Sequence, residues 1–346
     1  MGYSSKFIAS GSYGCAIRPG YNCNNNDTQS KTVSKLFSSR TEWKYEIEQN
    51  NLIRELDNNN KFTIKMISSC QIDKSYIKNN VKNIDECEII DDEPVIYQIV
   101  YEDGGNDLRD LFRDNELFVY YPHIDIKEFL KKMLNIFEGL RQLEAKGITH
   151  RDVKLDNLLY DGNKITLIDF GLALKKMEVY NAENLKLYRD NKVYYYPNEP
   201  KLYTYKKYGM NFDGIELNTD EFINSIKNFI NRRTKKEGKQ GNSENLREIN
   251  AILNGLKDKN LEYVEYFKQL SKREFDKIDL IKFDKMDTYL SGVVLMEILT
   301  YITFYISDYL IPKSLFVLIY EMLEPNPLLR PSMDEVVESY RQIINN

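Results

Sequence analysis

The sequence predicts an α+β fold in two unequal parts, with strands in the first third and mainly helices in the remainder. Segments that fit short strands come first along the chain, and apolar residues at helical spacing dominate from about residue 126 onward. Gly104 and Gly105 mark a break between them. A chain of 346 residues can form one large domain or two. We therefore expect a first domain over 1–103 and a second over 104–346.

In the first part, weak alternation with Gly11 and Gly14 predicts two strands and a tight turn over 7–18. The asparagine-rich stretch 21–31 predicts a loose loop, and strands follow over 32–37, 61–68 and 95–101. One helix is predicted over 41–56 with Thr41 as its N-cap, because its apolar residues lie roughly on one face. The acidic stretch 85–93 predicts a solvated loop or hairpin.

In the second part, apolar residues recur at helical spacing over 126–146, and Gly147 ends this predicted helix. Two short strands are predicted over 158–169 around a turn at 161–163. Further helices are predicted over 288–301, 314–323 and 333–344. The apolar run 289–311 is long enough to span a membrane, but Glu297 in its middle would cost a few kcal/mol there. We therefore predict a buried core helix and no membrane partner.

Composition argues against several classes of protein. A hydrophobic fraction of 42% and a charged fraction of 29% fit a soluble globular protein, and a net charge of −5 argues against a nucleic-acid partner. Four cysteines without a CxxC pair predict neither a zinc site nor a disulfide framework, and favour a reducing compartment. The N-terminal residues lack an apolar signal core, and Lys6 departs from the myristoylation pattern.

The stretch from His150 to Asn157 (HRDVKLDN) is the most informative in the chain. Asp169-Phe170-Gly171 follows it after a short apolar run. Together these segments hold a candidate base, a cation and two oxygen ligands for a metal ion. Such a set is suited to chemistry on a phosphate group.

Both segments resemble the catalytic loop and the metal-binding motif of eukaryotic-type protein kinases, and the resemblance covers most of the chain. It implies a bilobal protein-kinase fold, with a small antiparallel β-sheet N-lobe that carries one helix, and a larger mainly helical C-lobe with an insertion at about 201–285. It also implies that Asp152 is the catalytic base and that Lys154 neutralises charge on the transferred phosphoryl group. Asn157 and Asp169 would bind Mg²⁺.

The resemblance also implies a site for ATP in the first part. Residues 9–16 resemble the glycine-rich loop, with alanine at the first glycine position, although a plain hairpin fits the pattern equally well. Lys35 would reach the phosphates and Glu46 would hold it, with Glu42 and Glu48 as alternatives that the sequence leaves open. The residues implied to bind ATP in this part are Gly11, Ser12, Gly14, Ala16, Lys35, Ile99, Tyr101, Glu102 and Asp103.

Two late features support the resemblance. Asp287, followed by Gly292, resembles the start of the buried helix that organises the large lobe, and would tie down the backbone of the catalytic loop. Arg330 in the segment NPLLRP would pair with a glutamate that closes the activation segment, where Pro197-Asn198-Glu199 stands.

The activation segment departs from the family pattern. Residues 170–203 contain no serine or threonine, so Arg151 has no such hydroxyl to pair with after phosphorylation. The alternatives are modification of Tyr180, Tyr188 or Tyr194, a carboxylate such as Glu178 or Glu183, or no switch. We favour constitutive activity. The threonine that usually contacts the catalytic lysine is also missing.

These features predict a serine/threonine protein kinase that uses ATP and Mg²⁺ and acts on protein substrates. The alternatives are a pseudokinase-type ATP-binding scaffold and a small-molecule kinase of related fold. The basic run 232–236 in the insertion is either a solvated face or a docking surface for an acidic partner. Heavy use of Asn, Lys, Ile and Tyr resembles kinases of large AT-rich DNA viruses, which implies the host cytoplasm or a virion.

Overall fold

The computed structural model describes residues 5–11, 14–24, 28–88, 95–113, 116–190, 195–279, 285–306 and 308–345. The chain forms two compact units, Met1–Asn106 with Leu159–Gly171, and Asp107–Leu158 with Leu172–Asn346. The predicted division after residue 103 is close to the first boundary, but 159–171 groups with the first unit. The reason is backbone pairing, since the amide of Leu167 donates to the carbonyl of Phe62 at 2.7 Å.

The first unit is built on a six-stranded sheet in the order β6-β8-β5-β2-β1-β7. Among the described residues of this sheet, β1 and β7 pair in parallel and the other neighbouring strands pair antiparallel. The strands of this unit are β1 (Ser5–Gly11), β2 (Gly14–Arg18), β3 (Gly20–Tyr21), β4 (Thr28–Gln29), β5 (Thr32–Phe37), β6 (Met66–Asp73), β7 (Val81–Lys82) and β8 (Val95–Glu102). Its helices are α1 (Arg40–Leu56) and α2 (Lys74–Asn80).

Local side-chain contacts explain where these elements differ from the prediction. The strand expected over 61–68 begins at Met66, because the Asp57 carboxylate accepts hydrogen bonds from the amides of residues 61–63 and folds them into a turn. Ser39, not Thr41, is the N-cap of α1. The short helix α2 was not predicted, and part of the acidic stretch (89–94) lies outside the described residues.

All four cysteines form disulfide bonds, so the prediction of no disulfide framework is wrong. Cys15 bonds to Cys87 and Cys23 bonds to Cys70. The partners are 72 and 47 residues apart in sequence. The fold of the chain brings them together, and the cysteine spacing carries no sign of it.

The remaining strands are short: β9 (Asn106–Asp107), β10 (Ile148–Thr149), β11 (Leu158–Tyr160), β12 (Ile165–Leu167) and β13 (Leu174–Lys175). The helices of the second unit are α3 (Leu108–Phe112), α4 (Glu116–Tyr120), α5 (Ile126–Ala145), α6 (Lys176–Val179), α7 (Ala182–Asp190), α8 (Glu199–Lys207), α9 (Asn218–Asn231), α10 (Ser243–Gln269), α11 (Lys272–Phe275), α12 (Met286–Tyr305), α13 (Lys313–Met322) and α14 (Met333–Asn345). The predicted helices 126–146, 288–301, 314–323 and 333–344 are confirmed within a few residues.

Helix α12 is the centre of the second unit. It is apolar on all sides and long enough to cross a membrane, but 89% of its most apolar window is buried inside the protein. It packs against α9, α10 and α13. The prediction of a buried core helix is confirmed.

The predicted insertion folds onto the same core. Its two helical patterns form α9 and α10, which bury apolar faces that include Phe222 and Leu253. The Asn198 side chain, just before α8, donates hydrogen bonds to Thr219 of α9 at 2.7 Å and to Asn260 of α10 at 2.6 Å. The insertion is therefore joined to the end of the activation segment by buried polar contacts.

The basic run of the insertion is not a uniform charged patch. It forms a π-helical turn, Arg232–Lys236. Arg233 is 3% exposed, its guanidinium lies over the rings of Phe229 and Tyr305, and it pairs with Glu237 at 2.5 Å. This arginine is part of the core and is unavailable to a docking partner.

Candidate active site

Lys35 and Glu46 form an ion pair in the first unit. Lys35 projects from β5 and Glu46 from α1, and Nζ lies 2.6 Å from Oε2. The buried Tyr101 hydroxyl on β8 donates to the other oxygen, Oε1, at 2.9 Å. Of the three carboxylates that the sequence left open, the structure pairs Glu46 with the lysine, whereas Glu48 is exposed.

Asp169 also lies near this lysine, with Oδ1 at 3.6 Å from Nζ. Burial alone lowers the pKa of Lys35, but the Glu46 and Asp169 carboxylates outweigh burial and raise the pKa above its ordinary value. The lysine is therefore a fixed cation at neutral pH. A cation held in this way is suited to binding phosphate oxygens.

Two motif residues have left-handed backbone conformations, which are uncommon and strained for residues other than glycine. Asp169 has φ of +62° and Arg151 has φ of +70°. A short 3₁₀ turn, Phe170–Leu172, follows Asp169 and buries Phe170. The Asp169 side chain remains 41% exposed, so its carboxylate is accessible to a ligand.

Close packing in the glycine-rich hairpin explains why one of its positions, Gly14, is a glycine. Gly14 lies so close to β5 that a Cβ atom there would be 2.5 Å from the carbonyl oxygen of Leu36. Gly11 pairs with Gly14 across the hairpin, and Ala16 pairs with Lys35. Ser12 lies outside the described residues. Phosphate binding by this loop stays a prediction.

Hydrogen bonds within the unit involve several of the residues on β8 and just after it that the resemblance implies for ATP binding. The amide of Glu102 donates to the carbonyl of Lys65, and that of Asp103 to the carbonyl of Lys31, both at 3.0 Å. Strand β8 lies between β5 and β6, with Ile99 fully buried. The amides of Glu102 and Asp103 thus already donate to carbonyl oxygens of the unit, and ATP binding by these two residues stays a prediction.

In the second unit, the structure brings Asp152, Lys154 and Asn157 together. Lys154 Nζ lies 3.1 Å and 2.9 Å from the two carboxylate oxygens of Asp152. Asn157 Nδ2 donates to Oδ2 of Asp152 at 2.8 Å and to its carbonyl oxygen at 2.9 Å. Because both amide hydrogens of Asn157 point at Asp152, its amide oxygen is the atom that it can offer to a cation.

A carboxylate on α12 fixes the backbone of this loop. Asp287 accepts hydrogen bonds from the amide of His150 at 2.6 Å and from the amide of Arg151 at 2.8 Å. The sequence-based prediction for Asp287 is confirmed. The loop that carries Asp152 is therefore tied to the most buried helix of the unit.

The second predicted long-range contact is also present. Arg330 donates to both oxygens of Glu199, so the glutamate that closes the activation segment has its arginine partner. A family model described as the protein kinase domain matches residues 4–340 of the chain. The chain belongs to the protein kinase family.

Several curated kinases are similar to it over short segments. The human cell division cycle 7-related protein kinase is 35% identical over 89 residues, which is 20% of this chain and 16% of the relative. A serine/threonine-protein kinase of Saccharomyces cerevisiae is 42% identical over 53 residues, 15% of this chain and 4% of the relative. Calcium-dependent protein kinase 5 of Plasmodium berghei is 31% identical over 102 residues, which is 28% of this chain and 17% of the relative. Each match thus covers less than a fifth of the relative.

One ion pair of the kinase was missed from the sequence. Arg109 on α3 donates to both oxygens of Glu297 on α12, at 3.0 and 3.2 Å, and its Nε donates to Asp156 of the catalytic loop at 3.3 Å. The only sequence signal was a glutamate in an otherwise apolar helix. That glutamate is buried because it has a cationic partner, and the pair gives the loop a second anchor on α12.

A tyrosine hydroxyl also contacts the catalytic loop. Tyr195 Oη donates to Oδ1 of Asp152 at 2.9 Å, and Lys154 Nζ lies 5.7 Å from the centre of its ring. The tyrosines of this segment that the sequence offered as candidates for modification are Tyr180, Tyr188 and Tyr194. Tyr180 is buried, while Tyr194 and the side chain of Tyr188 lie outside the described residues. Hence the hydroxyl that contacts the loop was not among the candidates.

The protein kinase family implies ATP and a divalent metal ion, and the residues present fit both. The second unit offers the amide oxygen of Asn157, and the first unit offers the accessible carboxylate of Asp169 and the cation of Lys35. Hard cations such as Mg²⁺ prefer oxygen ligands, and Mg²⁺ commonly takes few from protein and the rest from phosphate and water. No residue of this set is chemically unsuited to its family role.

Proposed function

We propose that this kinase transfers the γ-phosphate of ATP to serine and threonine hydroxyls of protein substrates, with Asp152 as the catalytic base. The observation that carries the proposal is the environment of Asp152. Its side chain is 7% exposed, and its carboxylate accepts hydrogen bonds from Lys154 and Asn157 on a loop anchored by Asp287. The lysine at 154 and the names of the relatives favour serine and threonine over tyrosine as acceptors in other proteins.

Each residue has a distinct role in this reaction. Bound ATP with Mg²⁺ supplies the phosphoryl group and neutralises part of its charge. Asp152 orients the acceptor hydroxyl and takes its proton, and Lys154 adds positive charge beside the transferred group. Asn157 and Asp169 each offer an oxygen ligand to the metal ion. Glu46 keeps Lys35 in place for the phosphates of the nucleotide.

Phosphate transfer from radiolabelled Mg-ATP to generic protein substrates tests the proposal. Asp152→Asn should lower the rate by about 10²-fold or more, because it removes the base while it keeps the side-chain shape. The matched control is Asp161→Asn, an exposed aspartate in a hairpin turn, which should stay near wild-type activity. Activity of Asp152→Asn equal to wild type would refute the role of the base. Phosphoamino-acid analysis of the substrates tests the preference for serine and threonine.

A second candidate is an ATP-binding scaffold with little transfer activity. The contact between Tyr195 and Asp152 favours the scaffold, because a hydroxyl of the chain itself already donates a hydrogen bond to the carboxylate of the proposed base. This candidate predicts that Mg-ATP raises the melting temperature of the protein while no phosphate reaches any acceptor. Measured transfer that depends on Asp152 would exclude it.

A further inference from the structure

The Glu46 carboxylate accepts hydrogen bonds from two different residues, one at each of its oxygens. Lys35 Nζ lies 2.6 Å from Oε2, and Tyr101 Oη lies 2.9 Å from Oε1. Glu46 is 9% exposed and Tyr101 is 6% exposed, so both partners are shielded from water. The side chain that holds Lys35 is therefore itself held, through its other oxygen, by a residue of β8.

Asn50 determines the direction of the hydrogen bond between Tyr101 and Glu46. Its Nδ2 atom donates to Tyr101 Oη at 2.9 Å and to the backbone carbonyl of Glu46 at 2.8 Å. A phenol has a single hydrogen to donate, and an ionised carboxylate can only accept. Because the oxygen of Tyr101 accepts from Asn50, its hydrogen is directed at the Glu46 carboxylate.

The environment of Tyr101 keeps its hydroxyl protonated. Burial, together with the neighbouring Glu46 carboxylate, raises the pKa of Tyr101 well above its ordinary value of 10.0. The phenol is therefore neutral, and remains a donor, at neutral and moderately alkaline pH. A hydrogen bond to a charged group is stronger than one between two neutral groups.

A second contact joins α1 to β8. Trp43, near the start of the helix, donates from Nε1 to the carbonyl of Gln98 on β8 at 3.1 Å, and its ring lies 5.0 Å from that of Tyr97. The ring of Tyr101 is buried in the same apolar cluster. The helix is thus attached to this strand at two points, and the rotation that presents Glu46 is set within the first unit.

We propose that Tyr101 is a positioning residue of the ATP site, which holds Glu46 in the orientation that places Lys35 for the phosphates. The proposal rests on the proposed function, which includes ATP binding at Lys35. It gives Tyr101 a role beyond the ATP contact that the resemblance implies, because Tyr101 acts here through Glu46. Since these side chains and Asn50 belong to one unit of one chain, the placement of Glu46 requires no partner protein.

The expected kinetic effect of losing the hydroxyl is a change in KM for ATP with little change in kcat. Without this donor, Glu46 spends part of its time turned away from Lys35 before ATP binds. The apparent affinity for a ligand falls in proportion to the fraction of protein that is competent to bind it, and bound ATP restores the competent state. General damage to the fold would instead lower the amount of active enzyme, and hence the apparent kcat, at unchanged KM.

Steady-state kinetics of the full chain with Mg-ATP and a generic protein substrate tests the proposal. Tyr101→Phe keeps the ring and removes the hydroxyl, so it should raise KM for ATP about tenfold, the scale of one hydrogen bond to a charged group. Its kcat should stay within about twofold of wild type. The matched control is Tyr97→Phe, which removes a hydroxyl from the same strand and the same apolar cluster and should change KM less than about twofold.

Two further variants separate positioning from packing. In a Glu46→Ala background, Tyr101→Phe should raise KM by less than about twofold more, because the carboxylate that the hydroxyl positions is gone. A packing role would give the same effect in both backgrounds. Asn50→Ala removes the group that directs the hydroxyl and should raise KM about two- to threefold. This variant decides the question if Tyr101→Phe does not fold.

The Kd for ATP, measured by isothermal titration calorimetry, separates this inference from the proposed function. It should rise together with KM in Tyr101→Phe. Unchanged KM and Kd in that variant, beside active wild type, would overturn the inference and leave the proposed function intact. A lowered kcat at unchanged KM, or equal effects with and without Glu46, would overturn it in favour of a structural role. Absence of transfer by wild type would refute the proposed function, while a raised Kd in Tyr101→Phe would still support positioning of the ATP site.

Discussion

Arg330 and Glu199 lie 131 residues apart in the chain, and two hydrogen bonds of 2.7 and 3.2 Å join the guanidinium to the carboxylate. Both side chains are essentially inaccessible to water, at 0% and 1% exposure. The arginine also donates to the carbonyls of Glu324 and Lys285. The pair therefore fixes the end of the activation segment to the segment that follows α13.

Removal of this arginine should destabilise the protein strongly. Arg330→Met leaves the Glu199 carboxylate buried without its cation, and the expected loss is about 3–5 kcal/mol in the free energy of unfolding. Urea unfolding measures the loss. The control is Arg341→Met, which removes a partly exposed arginine and should cost about 1 kcal/mol or less. Equal effects of the two changes would contradict a special role for the buried pair.

The Lys35–Glu46 pair predicts a difference between two glutamates on one helix. Glu46→Gln keeps a hydrogen-bonding side chain beside Tyr101 but removes the charge that raises the pKa of Lys35. We expect kcat/KM for ATP to fall by at least about tenfold, or ~1.4 kcal/mol of transition-state stabilisation. Glu48→Gln, two residues further along α1 and exposed, should change it less than about twofold. Steady-state kinetics with varied ATP distinguishes them.

The two disulfide bonds predict the thiol content of the oxidised protein. Denatured, unreduced protein should show no free thiol, and peptide maps should link Cys15 to Cys87 and Cys23 to Cys70. Replacement of Cys15 and Cys87 by serine should lower stability by up to about 4 kcal/mol, because the bond closes a long loop. Four reactive thiols in protein purified without reductant would refute both bonds. With the cysteines paired, they no longer support the reducing compartment expected from the sequence.

A buried phenol predicts a loss of stability at alkaline pH. Burial raises the pKa of Tyr289 from 10.0 to about 12, and its hydroxyl shares a 3.2 Å hydrogen bond with Thr219. Because the folded pKa exceeds the unfolded one, this contribution is fully present below pH 10 and is lost as pH rises toward 12. At pH 11 the loss is about 1.4 kcal/mol. The difference in unfolding free energy between wild type and Tyr289→Phe should shrink by that amount from pH 8 to pH 11. An unchanged difference would contradict this assignment.

The sequence predicted what depends on local pattern. The catalytic loop is a short contiguous motif, and α5 and α12 are long helices whose apolar residues leave little ambiguity. The hydrogen bonds from the backbone of the catalytic loop to Asp287 were also predicted, because the family resemblance links these two recognisable motifs. These parts needed no knowledge of how distant segments meet.

The features that were missed depend on the path of the chain. Arg109 meets Glu297 across 188 residues, and the cysteine pairs depend on the course of the sheet and its loops. The choice of Glu46 over Glu48 depends on how α1 is rotated about its axis against β5. Helical periodicity alone does not say which of two glutamates two positions apart faces the lysine. The hydroxyl of Tyr195 contacts Asp152 across 43 residues of sequence, and no local pattern encodes such a contact.

The buried amide of Asn198 makes the insertion inseparable from catalysis. Its two side-chain partners, Thr219 and Asn260, both belong to helices of the inserted segment, and Glu199 follows it directly in the chain. A shortened version of the protein that lacks 208–285 would lose both partners beside the residue that Arg330 holds. The inserted helices are therefore part of the structural support of the activation segment, and trimming the chain to the length of an ordinary family member would remove the contacts that hold the end of that segment.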